Sequence, residues 1–113
     1  VLARAGQAEK PIAVVTGDDL MPHLDDLIAA GHAFDHLDTG EPLASVRGRV
    51  VSANAYLGAR PIADALALGA DVVVTGRVAD ASLTVGPAAH EFGWGFGETD
   101  LDRIAAATVA AVA

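Results

Sequence analysis

The chain contains no cysteine, which excludes disulfides and thiolate metal sites. Basic residues are scarce: seven Lys and Arg, six of them Arg, face fifteen Asp and Glu, for a formal charge of −8 and a pI near 4.6. A chain this acidic, without a basic stripe, lacks the footprint of a phosphate-backbone binder, so nucleic acid is not an expected partner. No apolar run approaches the roughly 18 residues of a membrane span, and no basic segment precedes an apolar one at the start. A membrane is therefore not an expected partner either. Apolar matter is abundant: the hydrophobic class makes up 52% of 113 residues, too much for a disordered tail. The expectation is a cytoplasmic globular unit of one domain or less.

Val1-Leu2-Ala3-Arg4-Ala5-Gly6 reads as the last turn of a helix closed by a glycine, and Thr108 to Ala113 as a helix without a stop signal. With no initial Met, the sequence reads as an internal piece of a longer protein. Residues 1–113 form a single α/β unit, a fragment of a larger domain, whose site is expected to be partial.

Pro11-Ile12-Ala13-Val14-Val15-Thr16 is a β-branched apolar run and predicts a strand buried on both faces. A helix follows from about Leu20 to Ala30, with Pro22 in its first turn, Leu20, Leu24, Leu27 and Ile28 on one face, and Gly31 at its end. Phe34 to Leu37 reads as a short strand and Asp38 to Pro42 as a turn. Arg49-Val50-Val51-Ser52 is again strand-like. Pro61 opens a helix over Ile62–Leu68 that closes on Gly69, and Asp71-Val72-Val73-Val74-Thr75 is the clearest strand in the chain. A helical stretch from about Ala79 to Phe92 is expected to be interrupted or kinked near Gly86-Pro87. Thr99 is expected to cap the last helix, with Asp102 at its third position. The glycine–aromatic loop Gly93-Trp94-Gly95-Phe96-Gly97 reads as core cover or as an interface.

Strands alternating with helices predict a parallel sheet in a Rossmann-like, three-layer α/β unit. Ile12, Val14, Val15, Val72, Val73 and Val74 should then be almost fully buried. All strand C-termini of a parallel sheet lie on one rim, where open α/β sheets bind ligands. Thr16-Gly17-Asp18-Asp19, Ser52-Ala53-Asn54 and Thr75-Gly76-Arg77 should share that rim. Each group also has a plainer explanation. Asp18 and Asp19 suit a helix start, where a carboxylate caps free N–H groups. Arg77 suits a bidentate grip on a carboxylate or phosphate, or an incidental pair with Asp80 or Asp71. Ser52 and Asn54 suit a ligand carbonyl, or a turn. The four histidines show no metal-ligand spacing, so no metal is indicated, and no Gly-x-Gly-x-x-Gly or Walker loop is present, so a nucleotide signal is absent and the sequence names no cofactor.

Ala13-Val14-Val15-Thr16-Gly17-Asp18-Asp19-Leu20, Gly31-His32, Leu37-Asp38-Thr39-Gly40, Val51-Ser52-Ala53-Asn54-Ala55-Tyr56-Leu57-Gly58, Thr75-Gly76-Arg77-Val78-Ala79-Asp80 and His90-Glu91-Phe92-Gly93-Trp94 together resemble the acyclic terpene utilisation protein family. The resemblance covers almost the whole chain. Family chains are several times longer and carry an earlier glycine-rich Asn-Ala-Gly-Gly stretch that this sequence lacks. The resemblance implies a part in bacterial catabolism of citronellol- and geraniol-type terpenes through branched acyl-CoA thioesters.

Two functions from different classes follow. In the first, the protein is an enzyme acting on an acyl-CoA or related terpenoid carbonyl compound. Asp18 or Asp19 would be the acid/base, Arg77 would hold an anionic group, and Ser52, Asn54 and Tyr56 would contact substrate beside Thr16, Gly17, Thr75 and Gly76. In the second, it is a non-catalytic binding or scaffold subunit of a terpene-degradation assembly. A buried, perturbed acid aimed into a pocket favours the first; Asp18 and Asp19 both engaged by backbone amides favour the second. Unpaired strand edges and the apolar face of the last helix predict a homo-oligomer.

Overall fold

The two runs richest in β-branched residues become the two regular strands of the fold. The computed structural model describes residues 2–112, so Val1 and Ala113 of the expected terminal helices lie outside the described residues. β1 (Ile12–Val15) and β2 (Val72–Thr75) pair in parallel, Ile12 opposite Val72 and Val15 opposite Thr75. α1 (Leu24–Ala29) follows a 3-10 turn, Met21–His23, that contains Pro22. α2 (Arg60–Ala67) has Pro61 in its first turn, α3 spans Ser82–Glu91 and α4 spans Leu101–Val112. The chain is thus a mixed helix–strand, α/β arrangement with a two-stranded parallel sheet.

Helix ends are dictated by glycine. Gly31, Gly69 and Gly93 follow α1, α2 and α3 with φ of 97°, 90° and 64°, a region other residues enter only with strain. At the last of these, Gly93 N–H donates to His90 C=O at 3.3 Å and Trp94 N–H to Ala89 C=O at 2.8 Å, the paired bonds of a Schellman closure.

The core sits where α2 crosses α3 beneath the sheet. α2 buries Ile62, Ala63 and Ala65, and α3 buries Ser82, Val85, Gly86 and Ala89. A Cβ on Gly86 would lie 2.7 Å from Ile62 Cβ and 3.0 Å from Ala59 C=O, so only glycine permits this crossing. α3 runs on through Gly86-Pro87 without the expected interruption. Pro87 denies a donor to the carbonyl of Leu83, a residue exposed enough for water to serve instead.

Burial of the strands departs from expectation. Of the six residues expected to be buried, only Val15 is; Val72 and Val73 are half-buried, and Ile12, Val14 and Val74 are 54%, 65% and 51% exposed. Side chains alternate along a strand, so α2 can cover only the Val15 face. No described element covers the other. The radius of gyration, 17.8 Å, against roughly 13 Å for a compact chain of this length, reflects the same open architecture.

Other expected elements are replaced. Arg47–Arg49 is a 3-10 turn and residues 50–52 are irregular, so the strand at Arg49–Ser52 does not form. Val50 and Val51 pair with no strand among the described residues; the next pairing along the chain is an isolated bridge between Asn54 and Asp19. Phe34–Leu37 is also not a strand: Phe34 has φ 50°, and His36 Nδ1 accepts the N–H groups of Asp38 and Thr39 at 3.1 and 3.3 Å. Thr99 does not cap α4 with its side chain. It lies inside a 3-10 turn, Glu98–Asp100, and the neighbouring Asp100 carboxylate takes the local donors, Gly95 N–H at 2.9 Å and Arg103 Nη1 at 2.6 Å. Among the described residues, no helix is long and apolar enough to cross a membrane.

Candidate functional site

The parallel pairing decides the geometry of the rim. Because Val15 pairs with Thr75, the segments Thr16-Gly17-Asp18 and Gly76-Arg77 leave the sheet at the same end, and Gly76 N–H donates back to Val15 C=O at 3.2 Å. An antiparallel pair would have sent them to opposite ends.

Asp18 knits three segments into one edge. Its Oδ2 accepts Arg77 N–H at 2.8 Å and Asn54 Nδ2 at 3.2 Å, while its main-chain carbonyl accepts Ala55 N–H at 2.8 Å. Leu20 N–H donates to Ala53 C=O at 2.8 Å, completing a short ladder between the Asp18-Asp19 turn and the Asn54 segment. Leu57 then exchanges bonds with the other loop, donating to Arg77 C=O at 3.0 Å and accepting from Ala79 N–H at 2.9 Å. The Arg77 amide is the main reason the Asp18 carboxyl lies below its ordinary pKa of 3.8; partial burial pushes the other way, and Asn54 and the Arg77 charge reinforce the lowering. Asp18 is held ionised.

Asp19 takes a free N–H in the turn that leads to α1, its Oδ1 accepting Met21 N–H at 3.0 Å, although the N-cap positions themselves, Leu20 and His23, carry no side-chain cap bond. Asp18 takes none there: its acceptor oxygens face the partner loop instead. The alternative of an incidental pair between Arg77 and Asp80 or Asp71 does not form among the described residues; Asp71 lies at the opposite end of β2 and binds Lys10 at 3.1 Å. Arg77, Thr16, Ser52, Asn54 and Tyr56 are all exposed, and Thr75 is half-buried. Ser52 and Tyr56 make no side-chain hydrogen bond among the described residues, and Tyr56 is 67% exposed.

This rim carries the same segments that resemble a known family, and the comparison is specific. The sequence profile of the acyclic terpene utilisation family protein AtuA matches residues 1–112. The chain belongs to this family. Membership supports a role in acyclic terpene utilisation. No curated protein and no solved structure matches the chain.

In this AtuA-family chain, two contacts, one at the rim and one away from it, escape a reading of residue types. One is Gly76, where a side chain would overlap the Asp18 carboxylate. The Thr-Gly echo after both strands is its only signal in the sequence. The other is Arg60, which places its guanidinium 5.8 Å from the centroid of the Phe96 ring, at a cleft away from the rim. Nothing in local spacing links residues 60 and 96. Among the described residues, no cluster of three or more His, Asp or Glu is arranged to hold a metal ion.

Proposed function

We propose that the rim binds a branched acyl-CoA or related terpenoid carbonyl compound on the catabolic route from citronellol- and geraniol-type terpenes. The single observation that supports this is the Asp18 carboxylate joining the three segments through the Arg77 amide and Asn54, while the Arg77 guanidinium forms no ion pair among the described residues. Arg77 would grip an anionic group of the ligand in the bidentate manner of a guanidinium. Ser52, Asn54 and Tyr56 would meet its polar atoms, with Thr16 and Thr75 beside them, and Gly17 and Gly76 would let the backbone approach. As acid/base candidates, Asp18 and Asp19 differ: Asp18, held ionised, would accept a proton rather than donate one.

A second reading, that of a non-catalytic binding subunit, is favoured by one observation. Both carboxylates already accept backbone N–H groups. The proposal also extends to a cytoplasmic homo-oligomer in which a further layer over Ile12, Val14 and Val74 completes a three-layer, Rossmann-like unit.

The test is to incubate the protein with geranyl-CoA and citronellyl-CoA, measuring binding by calorimetry and product mass by mass spectrometry. Saturable binding that falls about tenfold or more in Arg77→Gln is expected. A changed product mass assigns the enzyme reading, and binding without a mass change the subunit reading. No binding to either thioester removes the proposal.

A further inference from the structure

Away from the rim, a cleft of roughly 370 Å³ opens between α2, the end of α3 and the glycine–aromatic loop. Its floor is small and apolar, formed by Ala63, Ala67 and Ala89. Its wall is aromatic, formed by Trp94 and Phe96, and Arg60, Asp64 and His90 stand around it. That volume lies at the low end of small-molecule sites, and the lining combines polar and apolar surface in similar measure.

The wall is held in place rather than draped. Trp94 N–H is bonded to Ala89 C=O at 2.8 Å, and the Trp94 ring stacks on Phe92 at 5.1 Å between centroids. Gly95 N–H is bonded to the Asp100 carboxylate at 2.9 Å, which ties the loop to the start of α4. Phe96 carries Arg60 over its ring.

Charge supplies the ligand's sign. In a chain with fifteen acids and seven bases, a basic side chain without a carboxylate is in demand. Lys10, Arg47 and Arg103 are each paired with an aspartate; among the described residues Arg60, like Arg4, Arg49 and Arg77, forms no ion pair, even with Asp64 one turn along the same helix, and it is the one of these four that lines the cleft. Its contact with Phe96 is exposed and weak enough to yield to an anion, on the order of 0.5–1 kcal/mol. A guanidinium suits both carboxylate and phosphate. Asp64 discriminates between them, since a dianionic phosphate placed beside its carboxylate meets more repulsion than a single negative charge.

We propose that this cleft is a second ligand site, for a small organic monocarboxylate whose apolar body lies on the alanine floor against Trp94 while Arg60 takes the carboxylate. The proposal does not depend on the rim.

Trp94 is the sole tryptophan, so its emission reports on this cleft directly. The chain is titrated with octanoate, octanol and octyl phosphate. Octanoate should give a saturable change in Trp94 emission, and octanol should bind about tenfold or more weakly for want of the charge-assisted bonds. Arg60→Gln should bring octanoate to the level of octanol, and Arg49→Gln, an equal loss of charge elsewhere, should not. Octanol makes the comparison on the unaltered protein, whatever Arg60→Gln does to folding. The proposal is overturned if octanoate produces no saturable change, if octanoate and octanol bind alike, if Arg49→Gln weakens binding as much as Arg60→Gln, or if octyl phosphate binds more tightly than octanoate.

Discussion

The Asp18 carboxylate occupies the space that a side chain on Gly76 would need. The two residues stand on the loops leaving β1 and β2, and the strand register fixes how closely those loops approach. Replacing Gly76 by alanine therefore forces either the carboxylate or the loop to move. Gly76→Ala should lower stability by about 1–3 kcal/mol, as overpacking of a tight contact does. It should also speed hydrogen exchange at the Arg77 amide, which donates to Asp18. Thermal unfolding and exchange measured together check this; a variant unchanged in both would show that the contact carries no weight.

The same carboxylate sets a pH dependence. Arg77 N–H holds the Asp18 pKa below 3.8 in the folded chain, so the unfolded chain binds more protons in the interval between the two values. Stability from this node is then complete above the ordinary carboxylate pKa and is lost as pH falls through the lowered one. Asp100, lowered first by Gly95 N–H and then by Arg103, contributes with the same sign. An NMR titration should show the Arg77 and Gly95 amide resonances moving only at acid pH below 3.8, and Asp18→Asn should abolish the movement at Arg77 alone.

Where α2 crosses α3, volume matters in both directions. Ile62→Ala removes a buried side chain, 3% exposed, from a small core and should cost about 2–5 kcal/mol. Gly86→Ala adds one methyl where Ile62 Cβ and Ala59 C=O already stand, and should cost about 1–3 kcal/mol. The double variant should cost less than the sum, because the alanine at 62 vacates part of the space that the methyl at 86 requires. Denaturant unfolding of the three variants tests this, and strict additivity would contradict it.

The uncovered sheet face should make the chain adhesive. Ile12, Val14 and Val74 present apolar surface beside two strand edges, the arrangement that invites edge and face association. Light scattering should show mass rising with concentration, and Val14→Lys should suppress the rise while changing stability by no more than about 0.5 kcal/mol. A concentration-independent monomer in the unaltered chain would count against it.

What could be read from the sequence was local. Gly31, Gly69 and Gly93 mark helix ends because their left-handed conformation is a property of the residue itself, and Val72–Thr75 pairs as a strand because its β-branched run has a matching run in β1. Val50 and Val51 have the same composition and form no strand, since pairing needs a neighbour that composition does not show. Burial of Ile12 and Val14 failed for a related reason: apolar character shows what a face prefers, not what lies upon it. Strand direction puts the segments after Val15 and Thr75 at one end of the sheet, whereas Asn54 joins them through its bond to Asp18 and not from a strand. The bond between Asp18 and the amide of Arg77 spans 59 residues and leaves no local trace.

Residues 16–71 separate the two strands that meet at β1 and β2, and that distance along the chain sets an order of events in folding. α2, β2 and α3 are contiguous over 60–91, and close contacts between neighbours in sequence form before a long loop can close. β1 should dock last, onto a preformed α2–β2–α3 unit, so the rim exists only after the slowest closure. Pulsed hydrogen exchange during refolding should protect the amides of Ala65 and Ala89 early, and that of Arg77 only with the final phase. A chain arrested before that phase would be helical and sticky, and would have no rim with which to hold a ligand.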